Sequence, residues 1–400
     1  MARPSLQTPL QWRIPIALAF SYFFHYLDRN IIAVALPAMA NDFGWSDREI
    51  GYYGERLLAA FVLTYGLSQM VLSGWAERWG ARRSLLLVVT GFSVVTVCFG
   101  LAGMLGSVLL LILLRALLGV AESVHVPMMS AITAQHFPGE VRARANTTWS
   151  VGIVLATAVG PLLAVPLITH IGWAKTFILL GGAGLVLMVP LLMWAVPPDG
   201  KVQARRQTGW HFVQLPDYWL FVLCNALNAF CVFGILGWLP TYFTRAKGVD
   251  FQALGWPLAI VFTTGLVGTF VFAALGDRKG HRVGIAAAGL VLAAPLIAAG
   301  VAVANLSMMV VLFALAVLAQ SGFAAQQYAT MQKLVEDRRV GAATGLCNGL
   351  ALVVGGVGGS LVPGTVVAAT GSFDRGLLSI AMGALLAGGA TAWLAWRTKL

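Results

Sequence analysis

The sequence predicts an all-α membrane protein whose twelve transmembrane helices form two pseudo-symmetric six-helix bundles. Three observations carry that prediction. Asp, Glu, Lys and Arg make up only 10% of the 400 residues, against roughly 25% in an ordinary soluble domain. Hydrophobic residues account for 59% of the chain and the mean hydropathy is +0.83, which is more apolar surface than one soluble core of this length hides. A charged loop motif also recurs at an offset of 200 residues, half the chain.

Apolar runs such as 85–102, 177–194 and 377–395 approach the ~20 residues that cross a bilayer as a helix. Backbone polar groups need partners in hydrocarbon, so such segments are helical. In order, the first half places helices near 13–39, 51–74, 83–103, 107–134, 146–170 and 174–196. The second places them near 217–243, 252–275, 283–304, 308–333, 341–367 and 374–396. Residues 1–196 are thus an N-terminal bundle and 217–400 a C-terminal bundle, joined by a polar cytoplasmic linker, 197–216, that holds Lys201, Arg205 and Arg206. The N-terminus lacks a small-residue cleavage site behind a short apolar core and reads as the approach to the first spanning helix.

The net charge of +11 is unevenly placed. Arg78, Arg82, Arg83, Arg142, Arg144, Arg278, Arg282 and Arg397 fall on one face with both termini, whereas Arg48, Lys175, Arg245, Lys247 and Arg375 fall on the other. This is the positive-inside bias, with both termini cytoplasmic. It makes the lipid bilayer the implied partner, and nucleic acid is not needed to explain the basicity. Cys98, Cys224, Cys231 and Cys347 sit inside apolar segments without metal-ligand spacing, so neither a metal nor a cofactor is expected. No phosphate loop or nucleophile elbow suggests an enzyme.

The repeated motif reads Glu77-Arg78-Trp79-Gly80-Ala81-Arg82 in the first half and Asp277-Arg278-Lys279-Gly280-His281-Arg282 in the second. Glycine permits a tight turn between two helices. The acid is suited to accept hydrogen bonds from a neighbouring helix N-terminus or arginine, forming a gating latch. Parallel repeats of this kind place a substrate site between the halves.

Ionisable residues inside spanning helices are expensive and therefore functional candidates. The first helix carries Asp28, Arg29 and Asn30 near its middle. The fourth carries Arg115 and Glu122 seven residues apart, two turns along one stripe, with Gly119 between them and Pro127 beyond. Buried ion pairs are poor glue, whereas carboxylates in apolar surroundings suit proton coupling. Glu55 and Arg56 read as interfacial, and His25 and His125 as packed histidines. The second half lacks such a cluster: Asn228 and Gly322 stand 200 residues beyond Asp28 and Glu122. It carries Asn225, Asn228, Gln320, Gln326, Gln327, Tyr328 and Asn348 instead. A division of labour is expected, with ion coupling and anion attraction in the first half and hydroxyl-reading hydrogen bonds in the second.

The loop motif resembles that of the major facilitator superfamily, with Ser73 and Glu77 in place of its first glycine and its aspartate. Further residues resemble the anion:cation symporter branch of sugar-acid permeases and sialin-like carriers. They are Tyr26, Asp28, Arg29, Asn30 and Pro37 in the first helix, Tyr65 and Gln69 in the second, and Arg115, Gly119, Glu122 and Pro127 in the fourth. Trp238, Pro240, Thr241, Tyr242 and Asn348 continue the likeness. The chain departs from sugar-acid permeases in lacking a tryptophan near Tyr328 and in having Ser150 and Ile153 where a glutamine is usual.

By that resemblance Asp28 and Glu122 are the protonatable pair, and Arg29 meets the substrate carboxylate. Arg115 balances and gates Glu122, while Tyr65, Tyr328 and Asn348 line the pocket. The expected function is proton-coupled uptake of a small organic anion by alternating access, performed by a monomer in a bacterial inner membrane, with sodium left open as the coupling ion. The alternative is proton-driven export of a drug or metabolite, suggested by Ala156, Gly160 and Pro161 in the fifth helix.

Overall fold

A computed structural model describes residues 9–199, 211–335 and 340–399. Twelve long helices run back and forth through the described residues. In the first half they are α1 (Arg13–Asp42), α2 (Asp47–Trp79), α3 (Ala81–Met104), α4 (Val108–His136), α5 (Gly139–Ile171) and α6 (Trp173–Ala195). In the second they are α7 (Pro216–Ala246), α8 (Gly255–Lys279), α9 (Arg282–Ala302), α10 (Leu306–Leu334), α11 (340–370) and α12 (Phe373–Thr398). Eleven of them are long and apolar enough to cross a membrane; α1, diluted by its central polar residues, is the twelfth helix. The expected linker falls largely on 200–210, outside the described residues. Arg338 and Arg339 lie outside them too.

Helix ends follow local chemistry. α2 starts four residues earlier than its apolar run because Ser46 and Glu49 form a capping box: the Glu49 N–H donates to Ser46 Oγ and the Ser46 N–H to Glu49 Oε2. α5 also starts early, at Gly139, and its Arg142 guanidinium donates to the carbonyls of Ala134 and Phe137 at the end of α4. α4 is interrupted at Ser123 and Val124. Pro127 has no N–H to offer the carbonyl four residues back, that of Ser123, so the break falls where the proline dictates. π-helical turns occur at Gly184–Met188, Tyr242–Ala246 and Ala351–Gly356.

Among the described residues the halves share an apolar core at the end away from the repeated loops, where Leu36, Met39 and Ile50 pack with Trp238, Tyr242, Phe243 and Leu254. Toward the basic end each half has a core of its own, one around Val88, Met128 and Leu192 and another around Tyr218, Leu290 and Phe323, though Phe233, Leu352 and Val357 of the second half still pack against the first. α2 lies along α11 and α5 along α8. Hydrogen bonds pin the closed end: Thr365 Oγ1 donates to Glu55 Oε2 at 2.7 Å, and Arg245 Nη2 to Asn41 Oδ1 at 2.8 Å. Glu55 is therefore buried between the halves, paired with Arg56 at 2.8 Å. The interfacial reading fails for Glu55 because α11 covers this part of α2.

The duplicated loops bind differently in each copy. In the first, Gly80 takes φ +118°, and its lack of a side chain leaves room for the Asp199 carboxylate. That carboxylate caps α3, accepting from the Arg82 N–H at 2.8 Å and the Arg83 N–H at 3.1 Å. The Arg82 guanidinium grips the end of α6, donating to the carbonyls of Val196 and Met193. Among the described residues Glu77 and Arg78 are exposed and their side chains make no hydrogen bond. The acid expected to latch is thus replaced by Asp199. In the second copy Asp277 pairs with Arg282, which also donates to Gln326 Oε1 at 3.0 Å. Gly280 caps α8 in the left-handed region, and Arg278 is exposed.

Asp199→Ala is expected to lower unfolding stability by about 1 kcal/mol, as loss of a helix cap does, while Glu77→Ala stays within about 0.5 kcal/mol of wild type. Thermal unfolding of the purified variants checks this; equal losses would return the latch role to Glu77.

Candidate functional site

Gly119 lets α4 approach α2 closely: a Cβ there would lie 2.4 Å from the Phe61 carbonyl oxygen. Thr64 of α2 donates across the same contact to the Ala116 carbonyl at 2.7 Å. The approach carries Arg115 and Glu122 to α1, where Asp28 and Arg29 face them. Four ionisable side chains thus gather in the middle of the first half. Asp28 is 4% exposed, Arg115 1% and Glu122 0%.

Asp28 accepts a hydrogen bond from Thr96 Oγ1 of α3 at 2.6 Å and lies within electrostatic reach of Arg115 and Glu122. His25 Nε2 stands 3.3 Å from Glu122 Oε2. Its ring stacks on His125 with centroids 4.3 Å apart, and His125 Nε2 is 2.8 Å from Ser21 Oγ. His25 is packed, with His125 on its face and Glu122 near its Nε2. Arg115 donates one long bond, 3.5 Å, to the Arg29 carbonyl. Its Nε and Nη1, Asp28 Oδ1 and both Glu122 oxygens have no hydrogen-bond partner among the described residues. Buried polar groups are normally paired, which sets this cluster apart.

Arg29 is held by rings rather than by an acid. Its guanidinium carbon lies 4.8 Å from the Tyr65 ring centre, 5.2 Å from Phe233, 5.4 Å from Phe61 and 6.0 Å from Tyr26. Such cation–π contacts position a guanidinium without neutralising it. Arg29, Asn30 and Arg115 line a cavity of about 370 Å³ together with Phe61, Phe233, Leu236, Gly237 and Ser360. The cavity lies between the halves, since Phe233, Leu236 and Gly237 belong to α7 and Ser360 to α11 while the other residues belong to the first half.

The structure brings Asp28, Arg29, Arg115, Glu122 and Tyr65 together. Tyr328 is exposed and lies within electrostatic reach of Tyr22, a neighbour of Tyr26 and Tyr65. Asn348 accepts through Oδ1 from Asn225 at 3.2 Å and Gln327 at 2.7 Å, tying α7, α10 and α11 together. Thr96, Phe61 and Phe233 escaped the sequence reading. A threonine or phenylalanine in an apolar helix carries no signal of its own, and only packing reveals its partner.

A polytopic helical bundle with a charged cavity between two halves defines a membrane transporter. The profile of the Major Facilitator Superfamily matches residues 18–253 and 221–399, and the chain belongs to that family. It is 27% identical to a probable sulfoacetate transporter of Cupriavidus necator over 288 residues, 67% of this chain and 65% of that protein. It is 23% identical to a probable galactarate/D-glucarate transporter of Bacillus subtilis, over 95% of this chain and 91% of that one. The chain spans about half of some curated relatives, such as 43% of a probable chloroplastic anion transporter of Oryza sativa. In fold it is similar to a bacterial homologue of the lysosomal transporter Spinster in an inward-facing, occupied conformation. The TM-score is 0.86 with 19% identity, and 98% of each chain is covered. The family and these relatives are transporters, not enzymes.

Removing Arg115 leaves buried acidic charge unbalanced. Arg115→Leu is expected to cost about 3–5 kcal/mol, the range for breaking a buried ion pair, and adding Asp28→Asn should restore part of it. Unfolding of both variants at pH 8 tests this, and a double variant no more stable than the single one contradicts the charge balance.

Proposed function

We propose that the chain is a proton-coupled symporter that takes up a small organic anion by alternating access. One observation carries the reading: Arg29 and Arg115 line the cavity between the halves, and the buried carboxyl groups of Asp28 and Glu122 stand beside them. With Asp28 and Glu122 ionised the four charges cancel. With both protonated the cluster carries two positive charges, and an anion at Arg29 and Arg115 becomes favourable. Anion and protons therefore stabilise each other's binding, and the coupling is reciprocal. Arginine suits the anion role because its planar fork matches a carboxylate.

The relatives support the substrate class, being transporters of sulfoacetate, galactarate and other anions by name. The shared core and the hydrogen bond from Thr365 to Glu55 support one state of the cycle, closed at that end. The charge bias supports a basic end in the cytoplasm with both termini, and a plasma-membrane location in a bacterium. Arg82 with Asp199, and Asp277 with Arg282, would hold the helices that rock as units during the exchange of states. The unit is taken as a monomer of two bundles, 1–196 and 217–400.

In proteoliposomes, an inward proton gradient is expected to drive accumulation of a transported acid. Asp28→Asn with Glu122→Gln should abolish gradient-driven accumulation while sparing exchange of internal for external anion, and Arg29→Ala should abolish both. Accumulation that ignores the pH gradient, or anion efflux driven by it, contradicts the proposal.

A further inference from the structure

The second half does not present the hydroxyl-reading surface its sequence suggests. Asn348 Oδ1 is taken by Asn225 and Gln327, and Gln320 Nε2 donates to the Asn228 carbonyl. Gln326 is held by Arg282 and by the Phe272 carbonyl, to which its Nε2 donates at 2.6 Å. These polar groups tie helices of the second half to each other. What faces Arg29 and Arg115 is Phe233, Leu236 and Gly237, and the hydroxyl of Ser360 nearby is already donated to the Gly356 carbonyl at 3.0 Å.

A second cavity of about 430 Å³ continues from the first and shares Asn30, Ala33 and Leu236 with it. Its remaining walls include Ala156, Gly160, Pro161 and Phe262, and its one hydroxyl, that of Thr157, donates to the Ile153 carbonyl at 2.7 Å. The space therefore has a direction. Two guanidinium groups stand at one end, with unpaired Nε and Nη1 on Arg115, and an apolar chamber at the other. Between them Asn30 is the single amide lining both cavities.

We propose that the substrate is a monocarboxylate with a compact apolar, preferably aromatic, body: the head lies at Arg29 and Arg115, and the body passes Leu236 toward Phe262. This rests on the anion reading above and names its substrate class. A polyhydroxylated acid would bring several hydroxyl groups to walls that offer few polar partners: the Asn30 amide, and the Ser360 and Thr157 hydroxyls whose protons are already donated. Each unmatched hydroxyl weakens binding by up to about a hundredfold in an apolar pocket, whereas an apolar body gains from every part it buries.

The test is calorimetric binding to the purified full-length chain in detergent, with phenylacetate, benzoate, D-gluconate and benzamide as probes. The aromatic acids are expected to bind at least about a hundredfold more tightly than gluconate, and benzamide, which lacks the charge, not to bind. Leu236→Asn should narrow that gap by about tenfold or more, and Phe262→Tyr serves the same purpose if the first variant fails to fold. Gluconate binding as tightly as the aromatic acids overturns this inference and leaves the anion site standing. Benzamide binding as well as benzoate, or folded protein that binds neither class of acid, overturns both.

Discussion

An ionised group taken out of water must be paid for by partners, and this molecule gathers four such groups into one place. Asp28, Arg115 and Glu122 are buried in the first half, with the half-buried Arg29 beside them. Desolvation and mutual attraction are both large there and nearly cancel, so small changes in charge shift the balance. The surrounding structure serves the cluster. Gly119 draws α4 onto α2, Thr96 donates to Asp28, and four aromatic rings position Arg29 without a carboxylate. Had an acid paired Arg29 outright, an arriving anion would have had to compete with it.

The two bundles divide the work differently from what their duplicated loops suggest. The first concentrates charge, and its helix break at Ser123 and Val124 sets His125 beside His25 and Ser21. The second ties Asn225, Gln327 and Asn348 to one another and turns phenylalanine, leucine and glycine toward the cavity. Joined at one end by a common core, the bundles place the charged cluster beside the cavity between them, where the proposed cycle would alternately expose it. A rigid apolar wall opposite a labile charged one suits that cycle, because only the charged wall has to change its partners.

Much of this was legible in the sequence. Charges in apolar helices announce themselves, so Asp28, Arg29, Arg115 and Glu122 were identified from composition and spacing, and the 200-residue repeat marked the halves. Pro127 stands within a turn of the break in α4. What the sequence hid depends on distant packing. Phe233 reaches Arg29 from the other half, and Asp199 replaces Glu77 as the partner of α3 from more than a hundred residues away. Glu55 looked interfacial because local hydropathy says nothing about which helix lies over it. The amides of α7, α10 and α11 looked like ligand contacts because sequence shows a donor without showing what accepts it.

The central claim is that anion and proton are bound by one cluster and therefore bind together. Calorimetry of anion binding in buffers of different ionisation enthalpy counts the protons taken up at constant pH. The account predicts uptake that is clearly above zero near neutral pH and disappears when Asp28 and Glu122 are both replaced by their amides. Binding enthalpies that do not depend on the buffer, with the anion still bound, would contradict it.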